Sequence, residues 1–335
     1  MTLPMDWRIY RGSGESHDGI ESLPPPPPWR TFDGLILDQF MPDEASSRLS
    51  PSRAAARAAA YLPEENAVET VNVALSLRRP ILVDGKPGIG KSTLASSIAY
   101  ELKLGPLLCW PVGSRSTLSD ALYRYDALGR FQQAQLQNRG DEPPEIGQFI
   151  RLGPLGTALL GRDRPRVLLI DELDKSDIDL PNDLLNVFEE GWFEIPELAR
   201  MGPDHRVRVM TADTEGWATV ENAVVRCNAF PIIVITSNGE REFPPAFLRR
   251  CVRVTLEPPN AKKLARIVES QLGDAAVIGA SDVIDQFVRA RETADLATDQ
   301  LLNAVHFVTS GIEPDPDTRR ELLKRIFHNL GPGPG

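Results

Sequence analysis

Long apolar runs are missing from this sequence: no stretch approaches the ~20 residues needed to span a bilayer, and Met1-Thr2-Leu3-Pro4-Met5-Asp6 has no basic region followed by an apolar core. These absences speak against membrane insertion and a secretory leader, and predict a cytoplasmic protein. Cysteine is scarce. Cys109, Cys227 and Cys251 are odd in number, far apart and without a C-x-x-C pair, which argues against a disulfide framework or structural zinc and suits a reducing compartment. They read as core filler rather than nucleophiles. The four histidines, His17, His205, His306 and His328, show no metal-ligand spacing. Positive charge is outnumbered: 37 Lys and Arg against 47 Asp and Glu leave a net charge of −10, a field that repels phosphate backbones and disfavours nucleic acid as a partner.

What is present is enough residues for a sizeable core. At 335 residues, 41% hydrophobic and 25% charged, the chain reads as a main domain with a smaller companion. Its most informative stretch is Gly85-Lys86-Pro87-Gly88-Ile89-Gly90-Lys91-Ser92, which fits G-x-x-x-x-G-K-[ST] directly after the apolar run Ile81-Leu82-Val83. A buried strand feeding a glycine-rich loop and then a helix aims backbone N–H groups and a helix N-terminus at one anion. Lys91 would sit on the β- and γ-phosphates, Ser92 would hold Mg²⁺, and Thr93 would donate to the α-phosphate. Leu94, Ile98 and Leu102, spaced by four, supply the amphipathic helix that the pattern requires.

Around this loop the chain divides by composition. Residues 1–30 hold five consecutive prolines, Pro24 to Pro28, closed by Trp29, and no apolar periodicity, which predicts a flexible, stiff-spaced arm. Helices are expected over Ser52–Ala60 and Pro63–Leu75, the latter with Pro63 at its first position, and over 117–138 and 181–190. Near-continuous apolar runs at 107–110, 167–170, 230–237 and 251–256 predict strands buried on both faces, hence a parallel sheet covered by helices. Residues 31–257 would form this α/β domain, 258–330 a separate helical domain, and Gly331 to Gly335 a flexible tail. Residues 192–229 interrupt the pattern with short strand candidates at 192–195, 206–209 and 223–226, read as a hairpin insertion.

Hydrolysis needs an acid near the metal and a group that orients water. Val167-Leu-Leu-Ile-Asp171-Glu172 offers both at a strand end: Asp171 to anchor Mg²⁺ and Glu172 to polarise the water. The next buried strand ends in Thr236-Ser237-Asn238, where Asn238 would bond the γ-phosphate or the lytic water. Then come the paired Arg249 and Arg250 before another strand.

This ordered set resembles the AAA+ ATPases, with Walker A at Gly85–Ser92, Walker B at Val167–Glu172, sensor 1 at Asn238 and an arginine-finger segment at Arg249-Arg250. The stretches Ile170-Asp-Glu-Leu-Asp-Lys-Ser-Asp177, Leu184-Leu-Asn-Val-Phe-Glu-Glu-Gly191 and Phe243-Pro-Pro-Ala-Phe-Leu-Arg-Arg250 are most similar to the MoxR-like branch. The resemblance implies a P-loop NTPase fold of strand order 5-1-4-3-2 with a C-terminal helical lid, ATP and Mg²⁺ as ligands, and a homo-oligomeric, hexameric ring. In such a ring an arginine of one subunit completes the neighbour's site; Arg250 is the first choice and Arg249 the second. It further implies an ATPase that remodels or activates a protein client, of which a von Willebrand factor A domain protein is one class. A nucleotide-gated assembly switch in a signalling or defence complex is the alternative that the same residues serve. A GTPase is disfavoured by the lack of an N-K-x-D guanine reader, a small-molecule kinase by Glu172 beside Asp171, and a DNA motor by the acidic balance. The usual region for a sensor 2 arginine reads Asp299-Gln300, with Arg289 and Arg291 earlier, so that role is unassigned.

Overall fold

The computed structural model describes residues 7–41, 51–136, 144–291, 294, 296–310 and 315–327. The first six residues, Gln137 and Asn138, His328 and the 331–335 tail lie outside this set. At the centre is a parallel sheet of five strands: β1 (Ile81–Asp84), β2 (Leu108–Pro111), β3 (Val167–Asp171), β4 (Ile232–Ser237) and β5 (Val252–Thr255). Their spatial order is β5-β1-β4-β3-β2, the 5-1-4-3-2 arrangement expected from the motifs, and every pairing is parallel.

Alternation along the strands explains why the sheet needs cover on both faces. Leu82, Leu168, Ile170, Ile233 and Ile235 point into one apolar core, while Ile81, Val83, Val167, Leu169, Ile232 and Val234 point into another with Leu94 and Ile98 of the helix Lys91–Glu101. Since successive strand residues face opposite ways, an all-apolar strand leaves no polar face for water. A third core, built from residues between Leu264 and Leu323, belongs to the C-terminal helices Ala261–Leu272, Asp274–Gly279, Ser281–Ala290, Thr298–Thr309 and Pro316–Ile326.

A second sheet of seven strands lies outside the first. Trp192–Glu194, Arg206–Met210, Trp217–Glu221 and Val224–Arg226 come from the segment read as a hairpin. Tyr123–Tyr125 and Ile150–Leu152 extend it, and Gln39–Phe40 pairs with its Trp217–Glu221 strand. The helix expected across 117–138 is therefore broken. Thr117 caps Leu118–Leu122, the strand 123–125 follows, and a second helix occupies Ala127–Leu136. The alternation Tyr123-Arg124-Tyr125 suits an edge pairing better than a helical face. Pro63 precedes the helix Glu65–Leu77 rather than opening it. Among the described residues no helix is long and apolar enough to cross a membrane.

The N-terminal segment differs most from expectation. From Trp7 to Arg30 it is docked rather than flexible. Ile9, Tyr10 and Ile20 are buried in the core beneath the Lys91–Glu101 helix. Asn72 accepts the N–H groups of Ile9 and Tyr10 and donates to the Tyr10 carbonyl. The fully buried Glu101 carboxylate accepts N–H groups from Arg11 (2.5 Å), Gly12 (3.1 Å) and Ser13 (2.8 Å). Three buried side chains, Ile9, Tyr10 and Ile20, and a polar clasp make a docking site without any helical or strand period, which is why composition suggests freedom. Pro28 does not hold a spacer but opens a short 3₁₀ turn, Pro28–Arg30, that buries Arg30.

Candidate functional site

β1 ends at Asp84, and the next residues turn back over the C-terminal ends of the strands, the usual crevice for ligands in open α/β sheets. Gly88 (φ 72°) and Gly90 (φ 99°) lie in the left-handed region, and the helix starting at Lys91 leaves the N–H groups of its first turn directed at the loop. Glycine at position 88 has a second cause: a Cβ there would lie 2.1 Å from the Cβ of Ala297. The Thr298 N–H donates to the Gly88 carbonyl at 3.1 Å, so the C-terminal helices rest on the phosphate loop. Tyr61 packs against Gly90 from the other side.

Lys91 is almost buried, and its ammonium donates to the carbonyls of Gly85 (2.5 Å) and Lys86 (2.9 Å) and to Oδ1 of Asn238 (2.6 Å). Desolvation lowers its pKa, opposed by the surrounding carboxylates of Asp174, Asp171, Glu172 and Asp84. Ser92 Oγ donates to Asp171 Oδ1 at 2.7 Å, and Thr236 Oγ1 donates to the same oxygen at 2.7 Å. Two hydroxyls on one carboxylate oxygen form an all-oxygen donor set of the kind a small hard cation prefers. These residues therefore fit Mg²⁺.

Glu172 adopts φ 60°, ψ 48°, a left-handed conformation that costs a non-glycine residue of order 1–3 kcal/mol. It is held there by its N–H donating to Thr236 Oγ1 at 2.8 Å. Its carboxylate takes Lys175 Nζ at 2.7 Å on one oxygen and Asn238 Nδ2 at 3.2 Å on the other. Lys175 first, and Asn238 after it, hold its pKa below the ordinary glutamate value, so the group is an ionised acceptor beside the loop. Asn238 thus touches both Lys91 and Glu172.

The structure brings together Lys91, Ser92, Asp171, Glu172 and Asn238, with Gly85, Lys86, Pro87, Gly88, Ile89, Gly90 and Thr93 forming the loop and first turn. Arg249 and Arg250 join no hydrogen bond or ion pair of this group among the described residues. Arg250 Nε donates to Glu189 at 2.6 Å and Nη1 to the Ala246 carbonyl, while the Arg249 side chain is exposed and its carbonyl accepts from Arg79. Gln300 is buried and structural: Oε1 accepts the Ala297 N–H, and Nε2 donates to the Ile326 carbonyl. Arg291 donates to the Pro259 carbonyl and lies over the Phe287 ring.

Two residues escaped the sequence reading. Asp174, only 3% exposed, accepts the N–H groups of Asn238 (2.8 Å) and Glu240 (3.0 Å) and so fixes the turn that carries Asn238. Thr236 bridges Asp171 and Glu172. An acid two residues after Glu172 and a threonine two before Asn238 were visible, but only the register of β3 against β4 makes them neighbours.

A profile of the AAA domain, dynein-related subfamily, matches residues 80–251, the span from just before β1 to just before β5. Chaperone protein ClpB 2 of Parasynechococcus marenigrum is 28% identical over 263 residues, covering 75% of this chain and 26% of its own length. Chaperone protein ClpB of Chlamydia caviae is 23% identical over 194 residues, covering 56% of this chain and 21% of its own. The chain thus spans about a quarter of the length of the curated relatives it matches. A crystal structure of NtrX from Brucella abortus with ADP aligns at 15% identity and a TM-score of 0.38, over 74% of this chain and 52% of that one.

Proposed function

The chain belongs to the AAA domain family, dynein-related subfamily, and on that premise we propose that it binds and hydrolyses ATP at the β1–β3–β4 crevice and uses the turnover to remodel or activate a protein partner. The observation that carries this reading is the continuous bonding from Ser92 through Asp171 and Thr236 to Glu172, Asn238 and Lys91. A buried lysine, an oxygen donor set and an ionised carboxylate lie within one network at the strand ends, which supports a phosphate-binding role for the lysine.

Each residue has a role that follows from its surroundings. Lys91 would exchange the Gly85 and Lys86 carbonyls for phosphate oxygens, which raises the charge of its acceptors. Mg²⁺, held through Ser92 and Asp171, would supply charge neutralisation at the β- and γ-phosphates. Glu172, kept ionised by Lys175, would accept a proton from the attacking water, and Asn238 would orient that water. Arg250 would be given to the site of an adjacent subunit in a ring; an arginine so placed is worth ~10³–10⁵ in rate. A von Willebrand factor A domain protein is the client class carried over from the MoxR-like resemblance.

A nucleotide-gated switch is the second reading. It is favoured by the N-terminal segment being clasped to Glu101, at the far end of the helix that begins with Lys91. Steady-state phosphate release separates the two: turnover stimulated by a client fits the remodelling reading, while slow turnover with ATP-dependent assembly fits the switch. Full ATPase activity in both Lys91→Ala and Glu172→Gln would reject both.

A further inference from the structure

Arg250 is not free in this subunit. Its Nε donates to Glu189 Oε1 at 2.6 Å and its Nη1 to the Ala246 carbonyl at 3.1 Å. Glu189 lies in the last turn of the helix Leu180–Glu190, and it is itself seated by a second arginine. Arg30, 4% exposed, brings Nη1 to 3.5 Å from Glu189 Oε2 and donates to the carbonyls of Phe188 (2.8 Å) and Glu189 (3.3 Å). A cation on the orphan carbonyls of a helix C-terminus is favourable. Arg30 also bonds the Arg78 carbonyl through Nε and Nη2 and lies over the rings of Phe230 (4.4 Å) and Phe32 (5.0 Å). From the same corner, Arg79 donates to the Arg249 carbonyl at 2.8 Å.

We propose that Glu189 is a positioning residue for Arg250, seated by the buried Arg30, and that this strut fixes the direction in which Arg250 is presented to a neighbouring subunit. The inference rests on the reading of Arg250 as the residue given in trans. A guanidinium carries five N–H donors; Glu189 and Ala246 take two, and on a side chain that is 29% exposed three are left for a further acceptor with the stem already ordered. Arg249, by contrast, is exposed; its N–H and carbonyl are anchored by Pro245 and Arg79, but among the described residues its side chain makes no hydrogen bond and would have to be ordered during each encounter. Preorganisation of this kind is what separates a group merely near the reaction from one placed to act. The strut also gives the Pro28–Arg30 turn a purpose: it delivers Arg30 to the back of the helix that holds Glu189.

The test uses the full chain with Glu189→Ala, Glu189→Gln, Arg250→Ala and Lys91→Ala, measuring kcat, the Kd of a fluorescent ATP analogue, and turnover of mixed subunits. Glu189→Ala is expected to lower kcat about 10- to 100-fold with the Kd unchanged, and Glu189→Gln, which keeps an acceptor for Nε, to fall less. Mixing Glu189→Ala with Lys91→Ala should raise turnover above the weighted mean, because the Lys91→Ala subunit supplies a well-placed Arg250 to an intact nucleotide site. A structural defect would not be rescued in this way. The proposal is overturned by a kcat within twofold of wild type in both Glu189 variants, by a rise in kcat, or by a fall that mixing leaves untouched while the Arg250→Ala control is rescued. Failure of that control, or of wild-type turnover itself, instead rejects the reading of Arg250 on which the strut depends, and the strut with it.

Discussion

Replacing Glu101 by alanine tests whether the N-terminal segment is held by the clasp that the structure describes. The carboxylate is fully buried and accepts three backbone N–H groups, from Arg11, Gly12 and Ser13. The Ser13 hydroxyl at 3.5 Å and His17 Nε2 at 3.2 Å add two further contacts; because His17 Nδ1 accepts the Gly19 N–H, Nε2 is the atom that carries the proton toward Glu101. Each buried donor left unpaired costs about 1–3 kcal/mol, so three would cost about 3–9 kcal/mol if they stayed buried, against a typical domain stability of about 5–15 kcal/mol. The chain has a less costly response, since the segment can lift away and hydrate its N–H groups, so the loss is bounded by the free energy of docking. The expected outcome is local opening. Hydrogen exchange of peptides covering residues 7–22 should accelerate by about 100-fold or more, since each 1.4 kcal/mol is a factor of ten, while peptides of β1, β3 and β4 keep their protection. Glu101→Gln, which loses mainly the Ser13 contact, should accelerate exchange less. Unchanged exchange at residues 7–22 in Glu101→Ala, or loss spread evenly across the sheet, would refute the reasoning.

Three further outcomes follow from the contacts around the site and core. Lys175 is the main reason Glu172 titrates low, so Lys175→Met should raise that pKa and move the acid limb of the ATPase pH profile to higher pH, because the ionised form is then available only at higher pH. Asp174→Ala leaves the N–H groups of Asn238 and Glu240 without their acceptor, and should cost about 1–3 kcal/mol for each that stays buried in urea unfolding, together with a loss of turnover that Asp174→Asn partly restores. Arg166 and Asp213 form a bidentate pair at 2.8 and 3.0 Å, 2% and 4% exposed; Asp213→Ala strands the arginine and should cost about 3–5 kcal/mol, whereas the apolar double replacement Arg166→Met with Asp213→Leu should recover most of it.

The central sheet was legible because its strands carry their own signature. Runs such as Val167-Leu-Leu-Ile170 are apolar on both faces, and only a covered parallel sheet accommodates that. The phosphate loop was legible because its glycines and lysine obey a local rule. What was hidden depends on distant partners. The strand Tyr123–Tyr125 reads as helix until Ile150–Leu152 lies beside it. The Trp7–Arg30 segment reads as a tether until Asn72, Ser97 and Glu101 turn polar faces toward it. Asp174 and Thr236 are ordinary until β3 and β4 align. In the sequence only its position before β5 sets Arg250 apart from Arg249, and the Glu189 contact that distinguishes the two joins residues 61 apart.

The most direct test of the proposed chemistry is Glu172→Gln, measured for both nucleotide binding and phosphate release in the same preparation. The substitution keeps the size of the side chain and an oxygen for Asn238 while removing the charge. The account predicts an ATP Kd within about twofold of wild type and phosphate release reduced by at least ~10²-fold, the scale of a lost general base. Phosphate release near the wild-type rate would contradict it.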